Sequence, residues 1–348
     1  TNHLDIETKN SLVGYLSKKK GFIIVSHDRK FLDKVVDHII SINNTNIDIQ
    51  KGNFSSWQEN KDRQDNFEFM QNEKLRKDIN RLEVASKDVA NWSNKIEKSK
   101  FNTTASGSKL DRGYVGHQSA KMMKKSKVIE KRIENEINEK SKLLNNIDRN
   151  DFLKIIPLEN RKNPIILAEN LQIKYNDKPI FDKVSFKVQN GDRIAIVGKN
   201  GSGKSSILKL IMGCEIDYDG NIKNANNIKI SYVPQSTEGL EGSLKDYAKE
   251  SKVDESVFKA MLSKMGFSNL EFEKDIKEFS EGQKKKVLLA KSISEQANIY
   301  IWDEPLNYID ILTRVQIEEA ILKYRPTLIF VEHDETFIEK VATKVVNI

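Results

Sequence analysis

The chain has 348 residues, 31% charged and 38% hydrophobic, with 58 Lys and Arg against 51 Asp and Glu, a net charge of +7. At about 100–200 residues per domain this length allows about two domains with ample core and excludes a disulfide-stapled miniprotein. The single cysteine, Cys214, has no internal partner, no apolar run approaches the ~18 residues of a membrane span, and the opening TNHLDIETKN lacks the regions of a signal peptide; a cytoplasmic protein is expected.

The first segment, 1–56, is half of an internal repeat. HLDIETKNSLVGYLSKKKGFIIVSHDRKFLDKVVDHIISI from His3 lies over YIDILTRVQIEEAILKYRPTLIFVEHDETFIEKVATKVVNI from Tyr308 with one residue inserted. Asp5 matches Asp310, Thr8 matches Thr313, His27-Asp28 matches His333-Asp334, and Phe31, Lys34 and Val35 match Phe337, Lys340 and Val341. Convergence of two helix-strand-helix segments would share periodicity but not a His-Asp pair in register, so the repeat reads as a duplicated unit. In the second copy residues 164–309 precede Asp310, whereas four residues precede Asp5. The opening copy is therefore expected to be a domain's tail, and the chain part of a longer one, with the second copy also ending early.

Residues 57–150 have a different texture. Apolar residues recur at Leu75, Ile79, Leu82, Val89, Trp92 and Ile96, and again at Ile129, Ile133, Ile137, Leu144 and Ile147, among polar neighbours. That period predicts two long amphipathic helices that bury their stripes against each other. Between them FNTTASGSKLDRGYVGH, with Gly107, Gly113 and Gly116, has loop composition and places a tip at about 99–117. From Ser93 to Lys127 there are nine basic residues and two acidic ones, so the whole net charge of the chain resides around this tip. Lys109, Arg112, Tyr114, His117, Lys121, Lys124 and Lys125 interleave rings with cations, the combination that stacks on bases and neutralises phosphates. The other reading of the same charge is a spacer with a solvated end.

From Pro164 to Ile348 the text alternates strand-like and helical runs. IILAENLQI, VSFKV and RIAIVG lead into Gly198-Lys199-Asn200-Gly201-Ser202-Gly203-Lys204-Ser205 and the helical SILKLIMG. This G-x-x-x-x-G-K-S sits between a strand and a helix, the context of a phosphate-binding P-loop. Glycines let backbone N–H groups wrap phosphates, Lys204 reaches the terminal ones, Ser205 ligates Mg²⁺, and Ser206 continues the turn. Later, IYIW ends in Asp303-Glu304, placing a metal-holding carboxylate and a water-polarising one at a strand's C-terminal end. Phe279-Ser280-Glu281-Gly282-Gln283 opens a helix, Gln235 ends ISYVPQ, His333 follows TLIFVE, and Tyr175 lies upstream where a ring could stack on adenine. Singly these read as a cap, a strand-end amide, a surface histidine and a core tyrosine; the order is what argues for a site.

Taken together these residues resemble an ATP-binding cassette. The resemblance implies an α/β P-loop fold, a mixed sheet with a helical subdomain, over 164–348, joined to an antiparallel long-helix hairpin linker. It assigns Tyr175 as the aromatic loop, Gly198 to Ser205 as Walker A, Gln235 as Q-loop and Phe279 to Gln283 as signature. Asp303-Glu304 becomes Walker B with its catalytic glutamate, Asp310 the D-loop, His333 the switch, and Asp5 and His27 their counterparts in a first cassette. It implies ATP and Mg²⁺ as ligands: Glu304, His333 and Gln235 act in hydrolysis, Ser205, Gln235 and Asp303 hold the metal, and Ser280, Gly282 and Gln283 bind nucleotide held by an opposing Walker A. Two cassettes joined by a helical hairpin without membrane spans resemble family F. That implies a ribosomal partner, with the tip directed at P-site tRNA, 23S rRNA and the peptidyl transferase centre. The tip text DRGYVGHQSAKMMKKSK looks most like the Lsa-like branch, which protects ribosomes from lincosamides, streptogramin A and pleuromutilins. Phe279 departs from the usual leucine, and LNYID from the TNHLD of the first copy. Walker A, signature and Walker B of the first cassette are missing, so a lone chain is expected to bind ATP and hydrolyse it weakly. A transporter ATPase subunit and a housekeeping translation factor are the alternatives.

Overall fold

The computed structural model describes residues 4, 6–42, 47–99, 112–142, 153–176 and 178–348. They divide into two compact units, residues 1–55 with 150–348, and residues 56–149.

The opening copy folds as α1 (Ile6–Leu16), α2 (Arg29–Val35) and an antiparallel pair, β1 (His38–Ile42) with β2 (Ile47–Lys51). Asp28 starts α2 by accepting from the Phe31 N–H at 3.0 Å, as an N-cap does. The apolar run after α1 pairs with no strand among the described residues, and Ile23 and Val25 are 89% and 88% exposed. Its counterpart in the other copy is a strand because parallel neighbours on both sides take its backbone groups.

Unit two is built from α3 (Phe54–Ser99) and α4 (Arg112–Lys142), of 46 and 31 residues. Leu75, Ile79, Leu82 and Val89 on α3 and Ile133 and Ile137 on α4 are half-buried, and Asp78 meets Lys140 at 3.4 Å. Two expectations need correction. Residues 112–117, read as loop, form the first turns of α4; each glycine there costs about 1 kcal/mol against alanine, a penalty that the long periodic run behind them offsets. Ile129 is 42% exposed while Ser126 is 1% exposed. A four-residue step turns a helix by about 400°, so Ile129 has rotated about 80° away from Ile137 and off the seam. Residues 100–111, Leu144 and Ile147, and the side chains of Trp92 and Ile96, lie outside what is described.

The remainder runs β3 (Ile166–Tyr175), β4 (Lys178–Pro179), β5 (Val184–Val188), β6 (Arg193–Val197), α5 (Lys204–Ile211), β7 (Tyr218–Asn224), β8 (Ile230–Val233), α6 (Leu244–Glu250), α7 (Glu255–Lys264), α8 (Glu281–Ser294), β9 (Ile299–Asp303), α9 (Ile311–Tyr324), β10 (Leu328–Val331), α10 (Glu335–Val341) and β11 (Lys344–Asn347). A parallel sheet has the order β11-β6-β10-β9-β8, and β3 pairs antiparallel with β4, β5 and β7 in a second sheet. Alternation along β9 explains the layering. Ile299 and Ile301 enter a core with Ile194, Ile196, Ile207 and Leu171, beneath the second sheet. Tyr300 and Trp302 enter another with Phe258, Leu289, Ile317 and Phe337, beneath the helices. All of these are fully buried, or nearly so, which fixes where the C-terminal ends of β6, β9 and β10 open.

Candidate active site

The loop between β6 and α5 needs left-handed backbone at Gly201 (φ 81°) and Gly203 (φ 89°), which only glycine adopts cheaply. A Cβ on Gly203 would lie 3.4 Å from the Phe181 ring, and one on Gly198 only 2.5 Å from the Ile348 carbonyl oxygen. Lys204 folds back over this loop, donating to the carbonyls of Gly198 (2.9 Å) and Lys199 (2.8 Å). A cavity of about 470 Å³ opens there, lined by Tyr175, Asn200, Gly201, Gly203, Lys204, Ser205, Ser206, Gln235, Glu304 and His333. Tyr175, at the exposed end of β3, places its hydroxyl 3.0 Å from Ser206 Oγ.

The ends of β9 and β10 supply the carboxylates. Burial pushes the Asp303 carboxyl up, and a hydrogen bond with Ser205 opposes this. Asp303 Oδ1 is buried without a hydrogen-bond partner. An orphaned carboxylate oxygen beside a serine hydroxyl and a phosphate-cradling loop fits Mg²⁺, which Ser205 and Asp303 would hold. Glu304 has φ 47°, an unusual conformation for a non-glycine residue that turns its side chain off the strand. Its burial favours the neutral acid. The nearby His333 ring and Gln235 amide, with Asn307 donating to Oε2 at 2.6 Å, overcome that and hold its pKa down at about 2. His333 Nε2 lies 3.7 Å from Glu304 Oε1. The result is an anionic carboxylate fixed on three sides and facing the cavity.

The structure does not bring every expected residue together. Ser280, Gly282 and Gln283 are absent from the cavity lining. They form the capped start of α8: Ser280 accepts from Gln283 N–H at 3.3 Å, and Gln283 Oε1 accepts from Ser280 N–H at 3.0 Å. A Cβ on Gly282 would sit 2.7 Å from the Tyr308 carbonyl oxygen, which explains the glycine. Gly198 and Ser202 lie behind the loop rather than in its lining. Of the tip residues, His117, Lys121, Lys124 and Lys125 are exposed on α4 at helical spacing, Arg112 and Tyr114 lie in its first turn, and Lys109 lies outside the described residues.

Three functional contacts were not read from sequence. Asn307 was passed over within the LNYID departure, although an amide three residues beyond Glu304 is a natural donor to its carboxylate. Lys285, taken as part of a basic helical run, is fully buried and donates to the carbonyls of Pro234 (2.7 Å), Gln235 (3.2 Å) and Asp303 (3.3 Å), with burial lowering its pKa to about 8. Glu332, also buried, accepts from the N–H groups of Leu306 (2.7 Å) and His333 (3.0 Å), tying the turn after β9 to that after β10.

Residues 181–307 match the family model described as ABC transporter. The chain is 29% identical to ABC transporter F family member 2 of Arabidopsis thaliana, covering 100% of this chain and 48% of that protein. It is also 29% identical to ribosome protection protein VmlR of Bacillus subtilis, covering 98% and 62%. It thus spans about half to three-fifths of these relatives. Among solved structures, an ATP binding subunit of an ABC transporter aligns at 21% identity over 53% of this chain and 85% of its own, with a TM-score of 0.46. The fold of the larger unit is the mixed α/β P-loop cassette of ABC ATPases. Among the described residues no helix is long and apolar enough to cross a membrane.

Proposed function

We propose that this chain is the greater part of an ABC-F ATPase that works on the ribosome. The observation that carries the ATPase reading is the convergence of Lys204, Ser205, Gln235, Glu304 and His333 on one cavity beside the orphaned oxygen of Asp303. Bound Mg²⁺ would neutralise charge developing on the phosphates. The protein's own part is positional: the Gly201–Ser205 amides and Lys204 bind phosphate, Tyr175 offers a ring for the base, and ionised Glu304, braced by His333 and Asn307, orients the attacking water. Completing the nucleotide sandwich would need a signature sequence opposite Lys204 and a Walker A opposite Ser280. The first cassette inferred from the internal repeat would supply both, and a lone chain then hydrolyses ATP weakly.

The ribosomal part of the reading is supported by the long two-helix unit lying in sequence between the repeat copies, and by the cationic side chains on α4. A relative named as a ribosome protection protein, similar along 98% of this chain, supports it too. The tip would reach toward P-site tRNA and the peptidyl transferase centre and displace lincosamide, streptogramin A or pleuromutilin drugs. The test expresses a protein comprising this chain and a complete first cassette in a sensitive host, with and without residues 103–117. Resistance that needs those residues supports the reading. Unchanged drug susceptibility with the tip present contradicts drug protection and leaves a housekeeping translation factor. Co-purification with membranes instead of ribosomes favours a transporter subunit.

A further inference from the structure

The two copies of the repeat meet in the larger unit, and their contact is reciprocal. Extending the alignment, Lys9 falls on Arg314, as Asp28 falls on Asp334. Asp28 caps α2 by accepting from Phe31 N–H at 3.0 Å, and Asp334 caps α10 by accepting from Phe337 N–H at 3.0 Å. Each cation pairs with the aspartate of its own copy: Lys9 Nζ to Asp28 Oδ2 at 2.6 Å, Arg314 Nη1 to Asp334 Oδ2 at 2.9 Å. Each then donates across to the other copy's histidine backbone: Lys9 Nζ to the His333 carbonyl at 2.8 Å, Arg314 Nη1 to the His27 carbonyl at 3.1 Å.

From this pseudo-twofold pair we propose that Lys9 is a positioning residue for His333, acting from the other repeat copy. The carbonyl it holds belongs to the residue whose ring stands 3.7 Å from Glu304, so Lys9 fixes the backbone from which that ring reaches the carboxylate. The two halves are not equally replaceable. Arg314 is 4% exposed and also donates to the carbonyls of Ile309 and Leu306, so its loss would disrupt the turn carrying Asn307. Among the described residues the polar partners of Lys9 are Asp28 and His333, and the buried Arg29–Glu318 pair and the Lys30 pairs with Glu335 and Glu339 keep the copies together without it. Lys9 is therefore the adjustable half, through which the state of one copy reaches the catalytic centre of the other. The inference rests on the proposal that this site turns over ATP, so the test has a second readout independent of turnover.

The experiment compares the wild-type chain with Lys9→Met and Lys9→Arg, each shown to be folded by its thermal transition. Lys9→Met should lower kcat for ATP about tenfold with KM changed less than about twofold, and Lys9→Arg should restore the rate to within about threefold, because arginine performs this role in the other half. In a His333→Ala background Lys9→Met should have no further effect. In parallel, the His333 ring resonances, assigned by their loss in His333→Gln, should shift in Lys9→Met and return in Lys9→Arg. A kcat within about twofold of wild type, or an equal loss in both backgrounds, overturns the proposal. Unmoved His333 resonances overturn it whatever the rate. A chain that shows the shift but releases no phosphate from ATP supports the Lys9 contact and contradicts the ATPase reading instead.

Discussion

Arg29 enters the cassette from the opening copy, and its replacement by methionine has a magnitude that follows from burial. Its guanidinium donates to both carboxylate oxygens of Glu318, to Oε2 at 3.1 Å, and lies 3.7 Å from Asp334. The two side chains are 7% and 3% exposed. Asp334 keeps Arg314 when Arg29 is gone, but the cation left to Glu318 among the described residues is Lys340 at 3.4 Å, a half-exposed lysine. Breaking a buried pair while leaving one charge behind costs about 3–5 kcal/mol. Removing both charges in Arg29→Met with Glu318→Gln deletes the uncompensated carboxylate and should recover all but about 1 kcal/mol. In urea at pH 7, read through the buried Trp302, a slope of about 3 kcal/mol per M moves the single variant's midpoint down by about 1–1.7 M. A single variant within about 0.3 M of wild type, or a double variant as unstable as the single, would refute the reasoning.

Two further outcomes follow from the site. Glu304 is held from an ordinary 4.5 down to about 2, so it releases its proton more readily folded than unfolded. It therefore stabilises the fold above about pH 4.5 by about 3 kcal/mol, a contribution lost as pH falls toward 2, and Glu304→Gln should flatten that limb of a urea-midpoint series between pH 5 and 2. Asp303 shifts in the opposite direction, and the Glu304 charge is one of the causes, so the difference between the two proteins reports the coupled pair of carboxylates. Gly203→Ala places a Cβ at φ 89° and 3.4 Å from Phe181, at the residue that starts α5. It should cost about 1–2 kcal/mol of stability and, by moving the amides that face phosphate, weaken ATP binding at least about tenfold in calorimetry. Undiminished affinity would show that the loop does not bind phosphate through those amides.

The parts of the molecule that sequence made legible are those where chemistry restricts residue type locally. The P-loop glycines, Lys204 and the Asp303-Glu304 strand end lie where the text put them, because left-handed backbone and buried alternation leave few alternatives. What stayed hidden depends on groups distant in sequence. Lys285 looks like one of three helical lysines until the fold sets the carbonyls of Pro234, Gln235 and Asp303 around its Nζ. Lys9 looks like a solvated cation until the two copies are apposed. The start of α4 was misread because Gly113 and Gly116 signal a loop locally, while the helix is sustained by turns further along. Phe22–Val25 shows the opposite case: its residues favour a strand, but a strand needs neighbours to take its backbone groups.

The most direct test of the central claim is sedimentation of Glu304→Gln, with the first cassette present, alongside ribosomes with and without ATP. Glutamine keeps the shape of the side chain and removes the charge that orients water, so nucleotide binds and is not cleaved. The account predicts that the variant releases no phosphate and pellets with ribosomes only when ATP is present, while wild type is found mostly in the supernatant. A variant that binds ATP yet remains in the supernatant would contradict it.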